Sequence, residues 1–136
     1  MNRYISENLR ELVSKRADFR CEYCQIHAKN SYFAFHIEHI ISLKHGGKSN
    51  PENLAFACPI CNVSKGSDIG TFLDDENILV RFFNPRIDKW SEHFEVENTG
   101  FLISKTDIAE ATTKILNLNH PDSIIERREM ILRNIF

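Results

Sequence analysis

A chain of 136 residues, 42% hydrophobic and 26% charged, has the length and apolar share of a single domain that buries its own core. No apolar signal region follows Met1-Asn2-Arg3-Tyr4 and no apolar run approaches bilayer-spanning length, so the sequence predicts a cytoplasmic chain with no membrane partner. The net charge of −2 excludes a uniformly basic nucleic-acid surface, yet residues 1–66 hold nine Lys and Arg against six Asp and Glu, while residues 67–98 hold three against eight.

In chain order, Ser6 is placed to cap a first helix whose apolar residues Leu9, Leu12, Val13 and Ala17 recur at helical spacing. Residues 33–41 are aromatic and β-branched and predict a strand; Gly46-Gly47 and Ser49-Asn50-Pro51 form a loop to a second strand, Leu54–Ala57. Pro59 suits the first turn of a short helix that Gly66 ends. Further strands are expected at 78–83 and in a hairpin of 94–96 with 101–103 around Asn98-Thr99-Gly100. Two helices close the chain. The first starts after Thr106 or Asp107 with Ile108, Ala111, Ile115 and Leu118 on one face; the second follows Pro121 with Ile124, Ile131 and Ile135 inward.

The four cysteines fall in two Cys-x-x-Cys pairs, Cys21–Cys24 and Cys58–Cys61, and use up every cysteine in the chain. Each pair can present two thiolates from one tight turn, and two such turns make a closed tetrahedral site for structural zinc. Disulfides are the bland reading, but a bridge across two residues is usually redox-active and cytosolic thiols stay reduced. The gap between the pairs is long for a simple zinc ribbon, and it encloses an acidic-histidine doublet, Glu38-His39.

Glu38-His39, Asn53 and Cys58-x-x-Cys61-Asn62-x-x-Lys65 together resemble the motif of the HNH endonuclease family, over about residues 21–66. The stretch from Phe83 to Phe94 further resembles a tail of small stand-alone bacterial members, without a catalytic role of its own. The resemblance implies one α+β domain over 1–136. Its expected core is a ββα-metal (His-Me finger) unit stapled by the four-cysteine zinc, with extra strands and C-terminal helices over about 78–136. It implies hydrolysis of phosphodiester bonds in DNA, double-stranded DNA foremost. The two C-terminal helices are expected to complete the core, with a homodimer surface as their alternative use.

The chemistry needs a deprotonated water, a cation for the developing charge and a rigid frame. By the resemblance His39 is the general base, and Glu38 and Asn62 are oxygen ligands to one Mg²⁺ or Mn²⁺. Asn53 ties the inter-strand loop to the strand bearing His39. Lys65, on the same helix face as Asn62, is expected to meet a substrate phosphate, and His36, on the strand face of Glu38, could add a substrate contact. Trp90 with Phe82, Phe83 and Phe94 reads as core, not as a base-stacking platform. A rival reading is a non-catalytic zinc module that binds DNA or protein, with the doublet vestigial; a redox or metal-handling protein is a third.

Overall fold

The computed structural model describes residues 4–136, so the opening Met1-Asn2-Arg3 of the sequence reading lies outside the described residues. Helix α1, Glu7–Arg16, begins where Ser6 accepts the Leu9 amide at 3.2 Å. Its Val13 is fully buried, with Ile5, Leu54 and Phe56 around it, whereas Leu12 stays exposed, so the apolar face is narrower than its sequence suggests. Left-handed backbone at Asp18, Phe19 and Gln25 folds the next segment into the first cysteine turn, closed by Cys21 N–H on Ile26 O at 2.8 Å and Gln25 N–H on Cys21 O at 2.9 Å.

Strand β1, His36–His39, pairs antiparallel with β2, Leu54–Ala57, in the register Glu38 opposite Ala55 and His39 opposite Leu54. The strand expected over 33–41 is cut to four residues because β2 offers only four partners. Beyond His39 the pairing is continued by Asn53: its carbonyl accepts from Ile40 and its side chain from Ile41. β2 is buried along its whole length, since α1 covers it on one side and the main core on the other. Helix α2, Pro59–Lys65, follows directly, with Cys58 as its N-cap and Gly66 as its C-cap.

A small sheet of β3, Gly70–Phe72, and β4, Leu79–Arg81, comes next. β3 was not foreseen, because three residues between Gly70 and an acidic run carry no periodicity, and the strand expected at 78–83 shortens to match this partner. A single helical turn, α3, Trp90–His93, leads into the hairpin β5, Phe94–Val96, with β6, Leu102–Ser104. Helix α4, Asp107–Leu116, is capped by Thr106, which accepts the Ala109 amide at 3.1 Å, and packs on α2, β3 and β4. Helix α5 is Pro121–Leu132.

The face of α5 differs from the sequence reading. Ser123, Arg127 and Met130 are buried, while Ile124 and Ile131 are half-buried and Ile135 is exposed. The helix is turned by about one residue, or roughly 100°, because an arginine with enough carbonyl partners can occupy the interior. Arg127 donates to Gly100 O at 2.6 Å, Leu118 O at 2.8 Å and Asn119 Oδ1 at 3.1 Å. The described chain is thus a mixed helix and antiparallel-strand fold built around the cysteine cluster. The aromatic tail is core as expected: Phe82, Phe83 and Phe94 are buried and Trp90 stacks on Phe94 at 5.1 Å.

Candidate active site and metal centre

The two cysteine turns meet in the middle of the main core. All four Sγ atoms lie within 4.8 Å of one another, Cys24 and Cys58 at 3.6 Å, and all four residues are buried and free of disulfides. With Zn–S bonds of about 2.3 Å, a tetrahedron needs S···S edges of about 3.8 Å. The cluster therefore fits a four-thiolate zinc, and its donors are the soft set that metal prefers. Hydrogen bonds from the other three cysteines pull Cys58 below the ordinary thiol value, while burial pushes Cys24 well above it.

The first turn is fastened to β2 and to the aromatic tail. Glu22 donates its amide to Phe56 O and accepts the Phe56 amide on its carboxylate, each at 2.9 Å, and its other oxygen pairs with Arg86. Trp90 Nε1 donates to Tyr23 O at 2.9 Å. This is what the segment 83–94 does: it braces the cysteine turn from behind.

Glu38, His39 and Asn62 line one cleft of about 450 Å³, together with Lys44, Ser67 and the backbone near Gly66. β1 supplies the doublet and α2, which follows β1's partner strand through Cys58, supplies Asn62, so these two elements form the two walls. Glu38 is 6% exposed. One carboxylate oxygen accepts from the Tyr23 hydroxyl and the other lies 3.4 Å from Lys65 Nζ. Desolvation raises this carboxyl to about 7 against the opposing pull of Lys65 and Tyr23. The Glu38 carboxylate and the Asn62 amide are both oxygen donors of the hard kind that Mg²⁺ and Mn²⁺ take.

His39 Nε2 lies 2.7 Å from Ser49 Oγ, so the inter-strand loop orients the imidazole. Asn53 holds that loop: its Oδ1 accepts the Ile41 amide at 2.9 Å, and its Nδ2 donates to Ile41 O at 2.8 Å and Lys48 O at 3.0 Å. Gly47 makes the clamp possible. A Cβ there would stand 1.7 Å from Ile41 O and 2.7 Å from Asn53 Nδ2.

Two expected contacts fall elsewhere. Lys65 is only 2% exposed, and its ammonium is used by His39 O at 3.1 Å, Ile40 O at 2.8 Å and Glu38, so in this arrangement it braces the end of β1 instead of reaching a phosphate. Its sequence position on the face of Asn62 gave no sign that this face turns inward at Lys65. His36 is exposed at the start of β1 and is not among the residues lining the cleft. From the sequence, Ser49 and Gly47 had only a place in the loop, and Tyr23 no role at all. For Tyr23 the signal was its place between two metal-binding cysteines; for Gly47, a glycine pair in a loop that must close on itself.

Residues 21–68 match the HNH endonuclease family, a span holding both cysteine pairs, β1, β2 and α2. No curated protein and no solved structure matches the chain.

Proposed function

We propose that this chain, whose residues 21–68 carry the HNH endonuclease pattern, hydrolyses phosphodiester bonds of double-stranded DNA, with β1, β2 and α2 acting as a ββα-metal core. The observation that carries the reading is the meeting of Glu38, His39 and Asn62 in one cleft, the first two from β1 and the third from the helix that carries Cys61. His39 takes the proton from the attacking water, its ring held by Ser49 and its strand end by Asn53 and Lys65. Glu38 and Asn62 hold a Mg²⁺ or Mn²⁺ ion, which when bound supplies positive charge to the scissile phosphate. The four cysteines hold zinc as a staple, with no part in the bond cleavage.

One observation favours the rival reading, a non-catalytic zinc module: the Glu38 carboxylate is already engaged by Tyr23 and Lys65. Plasmid DNA incubated with the zinc-loaded protein and Mg²⁺, Mn²⁺ or EDTA separates the two. Nicked or linear product that needs the divalent ion and vanishes in His39→Ala supports the nuclease. DNA binding without cleavage under every metal supports the module.

A further inference from the structure

We propose that Tyr23 is a positioning residue for the divalent-ion site, its hydroxyl setting the direction in which Glu38 presents its carboxylate to the cleft. The inference rests on the Glu38–Asn62 ion site proposed above. Tyr23 is fully buried between Cys21 and Cys24, where its ring packs edge-on to Phe83 at 6.5 Å. A phenylalanine would serve that packing equally well. The hydroxyl therefore has a separate reason to be there, and its partner is Glu38, on another element.

Three restraints fix where that hydroxyl points. The two neighbouring cysteines anchor the turn in the cluster, the Trp90 indole holds the Tyr23 carbonyl, and Glu22 pins the turn to β2. Glu38, by contrast, carries one more rotatable bond than aspartate would, and a small, strict cation such as Mg²⁺ tolerates little wander in its ligand. The hydroxyl takes up that freedom on one oxygen while the other lies 3.4 Å from Lys65 Nζ, and Glu38 itself lines the cleft. Partners of this kind orient a ligand carboxylate, and their loss typically lowers metal affinity about 10–100-fold. The zinc staple then does more than hold the fold: through Tyr23 it sets the geometry of a second metal site.

The test is Tyr23→Phe, purified with its zinc. Zinc content and melting temperature should stay close to wild type, while Mn²⁺ affinity, read from the free-ion signal in electron paramagnetic resonance, should fall about 10–100-fold. The Mg²⁺ needed for half-maximal cleavage should rise in step, with much of the rate recovered at saturating Mg²⁺. Unchanged Mn²⁺ affinity in a folded, zinc-loaded variant overturns the proposal. Should the variant lose zinc or unfold, wild-type protein labelled with 3-fluorotyrosine decides instead. Mg²⁺ should then shift the buried Tyr23 fluorine signal and spare those of Tyr4 and Tyr32, and an unmoved Tyr23 signal overturns it. Wild-type protein that binds Mn²⁺ but cleaves no DNA sinks the nuclease reading alone, since the binding comparison still stands. Mn²⁺ binding that survives Glu38→Ala removes the ion site and this inference with it.

Discussion

His39 is the residue whose loss should separate chemistry from structure most cleanly. Its ring is only half-buried at the edge of β1 and its strand pairing is through the backbone, so His39→Ala leaves the framework in place. Plasmid cleavage should drop about 10²–10⁴-fold, as general-base loss does, with the melting temperature nearly unchanged; an equal rate in the variant would move the base elsewhere. Lys65 should behave in the opposite way. Lys65→Met leaves the Glu38 carboxylate buried beside no cation and two carbonyls without a donor. A loss of about 3–5 kcal/mol is expected, as for other broken buried pairs, read by denaturant unfolding, while the salt dependence of DNA binding keeps its slope. A shallower slope with full stability would restore the phosphate contact expected from sequence. Glu38→Ala and Asn62→Ala should each weaken the divalent-ion response of cleavage, and the double variant should be little worse than either single one, because both serve one ion.

At the level of elements, the loop between β1 and β2 is held by one side chain and made possible by one missing Cβ. Asn53→Ala leaves the Ile41 amide and carbonyl without their partners and releases the loop that carries Ser49 against His39. These groups are exposed and water can replace the lost partner. The stability loss should therefore be modest, near the net worth of about 0.5–1.5 kcal/mol per hydrogen bond, while cleavage should slow even at temperatures where the variant is folded. Gly47→Ala should mimic it through the clash with Ile41 O; amide exchange at Ile41 reads both, and unaltered protection there would refute the clamp. The tip of the β5–β6 hairpin meets α5 with the same intolerance. Gly100 has φ +91°, and a Cβ on it would stand 2.2 Å from Ile124 O. Its carbonyl also receives Arg127 Nε, so the tip and the helix are fixed to each other from both sides.

For the molecule as a whole, the cysteine cluster is the point where the separate pieces join. The first cysteine turn, the start of α2, the aromatic tail and Arg127 on α5 all converge on it, and Arg127 reaches Cys24 O at 3.4 Å. Four thiolates on a zinc ion would carry a net negative charge, which the buried guanidinium of Arg127 would offset; the cysteines draw its proton affinity up while burial, the larger effect, draws it down. Removing zinc with a strong chelator should therefore unfold the site cooperatively, seen as loss of near-ultraviolet circular dichroism together with release of about one zinc per chain. Retained structure in metal-free protein would reduce the cluster to an accessory. Arg127→Met should lower the melting temperature of the zinc form markedly, since it strands carbonyls of Gly100 and Leu118 as well as the charge of the cluster.

The local chemistry was legible along the chain: the paired cysteines, the caps at Ser6 and Thr106, the short helix between Pro59 and Gly66, the hairpin around Gly100 and the aromatic core of the tail. These depend on residues a few positions apart, where spacing alone fixes which groups can meet. The positions of Glu38, His39, Asn53 and Asn62 were legible only as a pattern; the meeting of Glu38, His39 and Asn62 at one cleft needed β1 and α2 to be set beside each other. What spacing could not carry was the inside of the molecule. Lys65 and Arg127 are long, charged and on helices, and such residues normally face water. They turn inward here because carbonyls from distant parts of the chain, His39, Ile40, Gly100 and Leu118, converge where each cation ends. The Tyr23–Glu38 bond likewise joins a cysteine turn to a strand through the packed core. Burial of a charge is decided by the partners that surround it, and those partners exist only once the chain has folded.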